Sequence, residues 1–242
     1  QQTTTSSNGV DAGLITKYAT PTVSSASSSN TLSTGGGSGT EFTVTGTNFG
    51  PVDSDNTATV TYQNSGLSGY AGSSFNGGSC SVASDTTIVC QMAAGVGHDF
   101  TVTATVGDQT ASGVTTLSYE APAISSLSPN SGLDTAGSET VTLTGTNFGI
   151  VDGTNAVTAT YSKPGGTGYL STTFSGPSCA VSAAHTKIEC TTAVGVGSGH
   201  KWVVNVGDQD SAASTATMAY GVPTITNLKI ASASGLAGDT LE

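Results

Sequence analysis

Arginine is missing from this chain, and charge of either sign is scarce. Only 9% of the 242 residues are charged, the five basic residues are all lysine, and the formal net charge is −11 at pH 7. Binding to nucleic acid or to an anionic membrane surface needs clustered Arg or Lys that contact phosphate groups. The composition therefore argues against both kinds of partner.

Long apolar runs are missing as well. No segment approaches the ~20 consecutive apolar residues that a membrane-spanning helix needs, so we expect no membrane insertion within this sequence. An initiator Met and a signal-peptide pattern at Gln1 are also absent, which predicts a mature or internal portion of something longer. No asparagine lies in an N-x-(S/T) sequon, while Ser/Thr tracts such as Thr3–Ser7 and Ser24–Thr34 leave O-glycosylation and a plain polar surface equally open.

Cysteine is scarce, but its positions are informative. The four cysteines form two pairs, Cys80 with Cys90 and Cys179 with Cys190, ten and eleven residues apart. An even number at a repeated spacing predicts one disulfide in each repeat and an oxidising compartment. The alternative is a zinc site, which needs four closely spaced ligands, and no second cluster of Cys or His supplies them.

The most informative feature that is present is an internal repeat with a spacing of about 101 residues. A period of ~100 residues is the length of a self-sufficient domain rather than of a solenoid unit. Three pairs of residues and two longer phrases carry the repeat: Tyr18 and Pro21, Tyr119 and Pro122, Tyr220 and Pro223, then Thr45–Gly50 returning as Thr144–Gly149 and Val106–Gln109 returning as Val206–Gln209. The chain is therefore expected to form beads in a row.

Alternating apolar and polar residues predict that each bead is all-β. Period-2 alternation is typical of half-buried strands, and turn residues about every ten positions favour a β-sandwich with little helix. The expected core residues are Phe42, Val44, Phe49, Tyr62 and Val102 in the first repeat and Val141, Leu143, Phe148, Tyr161 and Trp202 in the second.

The repeat also divides the chain into parts. Residues 19–120 and 121–221 are expected to be complete domains, residues 1–18 the closing strand of a preceding repeat, and residues 222–242 the opening strand of a third. The terminal strands belong either to domains of one longer chain or to a neighbouring subunit completed by strand addition. The continuous chain is favoured, because the two ends together supply too few strands for a sandwich.

Several of these motifs together resemble the IPT/TIG family of immunoglobulin-like domains. Ala121–Gly132 resembles the family's opening phrase P-x-I-x-x-(I/L)-x-P-x-x-G, and Thr142–Gly149 resembles its second-strand phrase. The first repeat departs from the pattern between Ser24 and Gly37, where the second proline is missing and Gly35–Gly37 is interpreted as an insertion. The resemblance implies tandem immunoglobulin-like sandwiches but no single function, because such domains serve receptors, adhesive stalks, accessory modules of polysaccharide-active enzymes and some transcription factors.

No set of residues predicts catalysis, and no cofactor is expected. The three histidines, His98, His185 and His200, are interpreted as exposed turn residues, because no oriented nucleophile and base stand out beside them. Asp53–Asn56 could gather oxygen ligands for calcium, but the second repeat offers only Asp152 and Asn155 there, so no metal site is expected.

The remaining motifs are expected to shape the fold. Asp108–Gln109 and Asp208–Gln209 are typical of tight turns. In Asn48-Phe49-Gly50 and its copy, Phe is expected in the core, with Asn and Gly shaping a turn or bulge. Trp202, the single tryptophan, is expected to pack in the core rather than to present a sugar-binding surface.

These observations predict a structural repeat protein of an extracellular filament, stalk or adhesin shaft. Two residues separate each closing tyrosine from the next proline, and so short a linker restricts the swing between domains. The expected partners are copies of itself or neighbouring repeats, with glycans as a further option, and the expected location is extracellular or at the cell surface. Two alternatives remain: a receptor or adhesion ectodomain that binds a protein or glycan, and a non-catalytic module of a polysaccharide-active enzyme.

Overall fold

The computed structural model describes residues 18–67, 74–151, 157–167, 173–175 and 178–227. In this part of the chain, no helix is long and apolar enough to cross a membrane. The Thr3–Ser7 tract, Asp152, Asn155 and most of the two terminal segments lie outside the described residues.

The first repeat folds into two antiparallel sheets that face each other. Its strands are β1 Thr22–Ser27, β2 Glu41–Thr47, β3 Ala58–Gln63, β4 Phe75–Asn76, β5 Gly78–Ser84, β6 Thr87–Gln91, β7 Phe100–Val106 and β8 Gln109–Leu117. One sheet has the order β1-β2-β6-β5 and the other β4-β3-β7-β8. Along β7 every second residue is buried, because side chains alternate between the two faces of a strand.

The second repeat has the same arrangement. Its strands are β9 Ala123–Ser128, β10 Thr140–Thr146, β11 Val157–Ser162, β12 Phe174–Ser175, β13 Cys179–Ala183, β14 Lys187–Thr191, β15 Ser198–Val206, β16 Gln209–Asp210 and β17 Met218–Ala219. The sheet orders are β13-β14-β10-β9 and β12-β11-β15-β16, and β17 also pairs with β15. The expected all-β architecture of two sandwiches in a row is confirmed.

Each sandwich has its own hydrophobic core. All ten residues expected in these cores are buried, and Trp202 and Phe148 are both 0% exposed. The phenyl rings of the two Asn-Phe-Gly motifs therefore anchor the turns that carry them, as the sequence predicted.

A pair of buried tyrosines organises the first core. The hydroxyl oxygens of Tyr62 and Tyr119 lie 3.0 Å apart. The backbone N–H of Ala93 donates to Tyr62 Oη at 2.9 Å, and Tyr119 Oη donates to the Ala93 carbonyl at 2.8 Å. Buried hydroxyls stabilise a fold only when they are paired in this way, so the end of the repeat is tied to the loop after β6.

The second core contains the same arrangement of two tyrosines bonded to an alanine backbone, here called a tyrosine clamp. Tyr161 and Tyr220 bond to each other at 2.7 Å and to both backbone groups of Ala193, at 2.9 and 2.7 Å. The loops that the clamps hold need glycine, because a Cβ at Gly95 or Gly195 would lie 2.5 Å from the tyrosine hydroxyl.

Each repeat has one disulfide within a sheet. Cys80 on the edge strand β5 is bonded to Cys90 on β6, and Cys179 on β13 is bonded to Cys190 on β14. The bonded residues are separated by 10 and 11 positions. Closing loops of that length stabilises a fold by about 3 kcal/mol in the chain-entropy model, so the edge strand is pinned to its neighbour.

The interpretation of Gly35–Gly37 as an insertion is wrong in part. Gly36 has the same left-handed backbone as Gly137, with φ of 61° and 77°. A Cβ at either position would lie within 2.7 Å of the alanine that follows β6 or β14. Gly36 therefore has a counterpart in the second repeat, and the additional residues of the first repeat follow Gly37.

The expectation that His200 is an exposed turn residue is also wrong. His200 lies on β15, is 0% exposed and occupies the place of Phe100. Its ring is 5.7 to 5.9 Å from the rings of Tyr161, Phe174 and Tyr220. Its Nε2–H donates to the Val196 carbonyl at 3.0 Å, whereas Nδ1 has no partner among the described residues. The glycine-rich stretch before it hid the start of a strand in which His200 is an inward position.

We predict that the second repeat loses stability below neutral pH because of His200. Burial lowers the pKa of His200 in the folded state, so the unfolded chain binds more protons. The stability that the folded repeat gains from a neutral His200 is fully present above the ordinary histidine pKa of ~6.5. It is lost as the pH falls below that value, because protonation then favours the unfolded chain. His200→Phe should remove this pH dependence, so the free energy of unfolding of the second repeat should fall less between pH 7 and pH 5 in the variant than in the wild-type chain.

Urea unfolding followed by the fluorescence of Trp202 reports on the second repeat alone, because it contains the only tryptophan. The matched control is Phe100→His, which should introduce the same pH dependence into the first repeat, where hydrogen exchange of the β7 backbone amides reports stability. Identical pH profiles for the wild-type chain and His200→Phe would contradict the assignment.

Candidate functional site: the junction between the repeats

The linker between the repeats is held from both sides. It consists of Glu120 and Ala121, between Tyr119 and Pro122. The backbone N–H of Glu120 donates to the Leu32 carbonyl of the first repeat at 2.9 Å. From the second repeat, Asn147 Nδ2 donates to Glu120 Oε2 at 3.2 Å and to the Ala121 carbonyl at 3.4 Å. The path of the linker is therefore fixed by both domains.

Opposite ends of the two repeats meet at this linker. One end of each repeat, here called the asparagine face, consists of Asn147, His185, Gly207 and Gln209 in the second repeat and of Asn48, Asp85, Gly107 and Gln109 in the first. The other end, here called the valine face, consists of Thr34, Val96 and Gly97 in the first repeat and of Thr135, Val196 and Gly197 in the second. At the junction the valine face of the first repeat contacts the asparagine face of the second.

Besides the contacts to the linker residues, three hydrogen bonds among the described residues join the two repeats. The backbone N–H of Thr34 donates to Asn147 Oδ1 at 3.4 Å, and Thr34 Oγ1 lies 2.9 Å from His185 Nδ1. Gln209 Nε2 donates to the Tyr119 carbonyl at 3.0 Å. Thr34 is 1% exposed and Asn147 is 9% exposed, so these polar groups are satisfied away from solvent. Burial lowers the pKa of His185, which favours the neutral ring there.

Close packing completes the junction. Val96 is 1% exposed and packs into the core cluster of the second repeat, with Leu67 against the same cluster. Gly207 has φ +60°, and a Cβ there would lie 2.7 Å from the Gly97 nitrogen and 2.9 Å from Val96 Cβ. Gly207 is therefore required both by its backbone conformation and by the approach of the first repeat.

A histidine–aspartate contact at the rim adds little. His98 Nε2 is 4.0 Å from Asp208 Oδ2 across the junction, and His98 Nδ1 is 2.8 Å from Asp99 Oδ2. Exposed ion pairs contribute about 0–1 kcal/mol. Hydrogen bonding and steric fit therefore outweigh charge in holding the repeats together.

The turn motifs behave as predicted and have a second role that sequence reasoning missed. Gly107-Asp108 and Gly207-Asp208 are two-residue hairpin turns with positive φ at both positions, and Asn48 and Asn147 have φ of 61°. The same turns form the asparagine faces. A signal was available, since Asn and Gln recur identically in both repeats at turn positions that Ser or Asp could also occupy.

Asp53–Asn56 forms a local turn. Asp53 Oδ1 accepts hydrogen bonds from the Asp55 backbone N–H at 3.2 Å and from Ser54 Oγ at 3.4 Å. Across the described residues, no group of three or more His, Cys, Asp or Glu side chains is placed to hold a metal ion.

The sequence matches the family model of the IPT/TIG domain twice, over residues 21–119 and 122–220. The chain belongs to the IPT/TIG domain family. The resemblance that the opening and second-strand phrases indicated is therefore confirmed, and the tandem sandwiches are immunoglobulin-like IPT/TIG domains. No curated protein has a sequence that matches this IPT/TIG chain.

Solved structures that resemble the chain include a surface glycan-binding protein and an adhesin. The surface glycan-binding protein PbSGBP-B from Prevotella bryantii is 15% identical with a TM-score of 0.39, over 72% of this chain and 35% of that one. The Yersinia pseudotuberculosis adhesin InvE is 9% identical with a TM-score of 0.41, over 84% of this chain and 59% of that one. The chain thus spans less than two thirds of either protein, and at TM-scores below 0.5 neither likeness bears on its function.

Gly107 and Gly207 allow a matched test of the junction. Both have positive φ, 54° and 60°, so alanine meets similar backbone strain at the two positions. A Cβ at Gly107 has no described atom within 4 Å, whereas at Gly207 it would collide with Gly97 and Val96. Gly207→Ala should therefore destabilise its repeat by roughly 1–3 kcal/mol more than Gly107→Ala destabilises the first.

Denaturant unfolding of each repeat gives the stabilities, and electron-spin distance measurements between labels on the two repeats report the junction. Gly207→Ala should broaden the distance distribution, and Gly107→Ala should leave it unchanged. Equal effects of the two substitutions would show that the steric fit at Gly207 is unimportant.

Proposed function

We propose that this chain is a structural repeat protein of an extracellular filament, stalk or adhesin shaft. The observation that supports this most is the junction, where the two domains meet through a fixed linker, buried hydrogen bonds and close packing. Asn147 and Gln209, which hold it, recur as Asn48 and Gln109 on the exposed end of the first repeat. A spacer needs this kind of stiff, repeatable connection.

The exposure of the terminal phrases supports neighbouring repeats on both sides. Tyr18 is 90% exposed, whereas its counterparts Tyr119 and Tyr220 are 2% and 3% exposed and belong to tyrosine clamps. Ile225 is 87% exposed, whereas Ile124 packs against the second core. We therefore propose that residues 1–18 close a preceding domain and that residues 222–242 open a following one, with complete domains at 19–120 and 121–221.

The distribution of aromatic side chains favours a spacer over a ligand-binding ectodomain or an accessory carbohydrate module. Among the described residues, Tyr18 is the single exposed aromatic, and the others are buried in the two cores. Surfaces that bind sugars or proteins commonly present several exposed aromatic rings. The proposed role is accordingly non-catalytic and without a resident cofactor, with glycan binding as the alternative that the proposal disfavours.

The disulfides support a location outside the cell. Bonds such as Cys80–Cys90 and Cys179–Cys190 persist in oxidising surroundings and are rare in reducing ones. We propose that both are intact in the native protein and that the chain resides extracellularly or at the cell surface.

Immunogold electron microscopy of intact, expressing cells tests this function. Antibodies against the chain should label the outer surface along linear structures. Material extracted in denaturant and reductant should then be much larger than the 23.6 kDa of this chain. Surface filaments that dissolve to a species of about that mass would instead indicate strand exchange between subunits. Labelling confined to the cell interior, or a dispersed native monomer, would contradict the proposal.

A further inference from the structure

We propose that the two exposed faces of this chain are docking surfaces for further IPT/TIG repeats of the same kind in the same polypeptide. The asparagine face of the first repeat takes the valine face of a preceding repeat, and the valine face of the second repeat takes the asparagine face of a following one. This inference rests on the proposed linear array and specifies the interface that propagates it.

The exposed asparagine face already has the geometry of the buried one. Asn48 Nδ2 donates to the Thr20 carbonyl at 3.0 Å, as Asn147 donates to the equivalent Ala121 carbonyl. Gln109 Nε2 donates to the Tyr18 carbonyl at 3.4 Å, as Gln209 donates to the Tyr119 carbonyl. The first repeat therefore already makes the contacts to its preceding linker that the second repeat makes at the existing junction.

The two asparagine faces have the same conformation but differ in how far they are buried. Gly107 and Asn48 are exposed, whereas Gly207 and Asn147 are buried by the first repeat. The open space beside Gly107 corresponds to the space that Val96 and Gly97 occupy beside Gly207. The exposed face thus has the shape that accepts a valine face.

The valine face of the second repeat is the matching surface. Val196 is 46% exposed and Thr135 is exposed, whereas Val96 and Thr34 are each 1% exposed. The loops are nevertheless the same, because the N–H of Gly195 donates to the Thr135 carbonyl at 3.0 Å, as Gly95 donates to Thr34 at 2.9 Å. This face therefore has the same backbone conformation as the buried one, and it is apolar at its centre without a repeat against it.

The two exposed faces are chemically complementary in the arrangement of the existing junction. Superposed on it, the Thr135 N–H would meet Asn48 Oδ1, and its hydroxyl would meet Asp85 in the place of His185. A threonine hydroxyl donates to a carboxylate at least as well as to a neutral imidazole nitrogen. Val196 would lie over Gly107, as Val96 lies over Gly207.

Three differences make the new contact smaller than the existing one. Ala19 stands in the linker in the place of Glu120, so Asn48 lacks the carboxylate that accepts from Asn147. Leu67, which packs against the second repeat, corresponds to Gly166, and His98 corresponds to Ser198. The central features are retained, because the threonine, the valine and the glycine turn are present on both sides. Each contact pairs two unlike faces, so it leaves one face of each kind at the ends for a further repeat.

A spliced chain of two full copies tests the proposal, with residues 1–220 followed directly by residues 19–242. It contains two existing junctions and one new junction, at which the second repeat of the first copy precedes the first repeat of the second copy. One spin label on a non-natural amino acid replaces the exposed Glu189 of the first copy, and a second label replaces the exposed Ser112 of the second copy. The distance between these two labels reports on the new junction. We expect one narrow distance distribution across the new junction, comparable in width to that of the existing one.

The same substitution at two places in the spliced chain provides the control. Gly107→Asn keeps the left-handed turn, which Asn tolerates, but fills the space where Val196 docks. In the second copy it should abolish the narrow distance, and in the first copy, where this face stays exposed, it should change nothing. Val196→Asp should abolish the narrow distance when it is placed in the first copy, where Val196 docks. In the second copy, where Val196 stays exposed, it should leave the distance unchanged.

A broad distribution in the unsubstituted spliced chain, or equal effects of a substitution in both copies, would overturn the docking inference. Such a result would leave the proposed function intact if the cell surface is labelled. Absence of surface labelling together with a narrow distance would reject the function and retain the docking.

Discussion

Tyr119 links the interior of the first repeat to the junction, and much of the structure depends on its position. Its hydroxyl bonds to Tyr62 and to the Ala93 carbonyl inside the core, while its backbone carbonyl accepts the hydrogen bond from Gln209 of the next repeat. Val96 and Gly97 follow Ala93 in the loop that the clamp holds. The same buried interaction therefore sets the shape of the valine face and the start of the linker, so packing within one domain determines how the next domain sits.

The second repeat shows that this shape does not require a partner. Tyr220 clamps Ala193 as Tyr119 clamps Ala93, and the following loop keeps its backbone bonds although Val196 is exposed. A surface that is ordered before it binds loses little conformational freedom on docking. Preformed ends of this kind would suit an array of similar repeats, because each end keeps its shape before a neighbour docks against it.

Much of the fold was predictable because it depends on local pattern. Period-2 alternation placed Phe42, Val44 and Trp202 in the cores, and turn chemistry explained the Gly-Asp hairpins. The burial of His200 was not predicted, because a polar residue at the start of a strand resembles a turn residue until the core around it is known. The contacts between the two repeats were not predicted for a different reason. Asn147 at φ 61° satisfies every expectation for a turn residue, and its partner Thr34 is 113 positions away. The recurrence of Asn and Gln in both repeats therefore indicated a shared constraint, but it did not indicate that these residues contact another domain.

We infer that adjacent repeats are fixed in one head-to-tail orientation by the contacts of Thr34, Asn147 and Gln209. Residual dipolar couplings of backbone amides in the intact chain test it most directly, because each repeat reports its own alignment in solution. The couplings from residues 19–120 and 121–221 should fit a single alignment tensor when the two domains have the relative orientation of the structure. Two tensors of clearly different magnitude would mean that the domains reorient independently and that these contacts do not fix the junction.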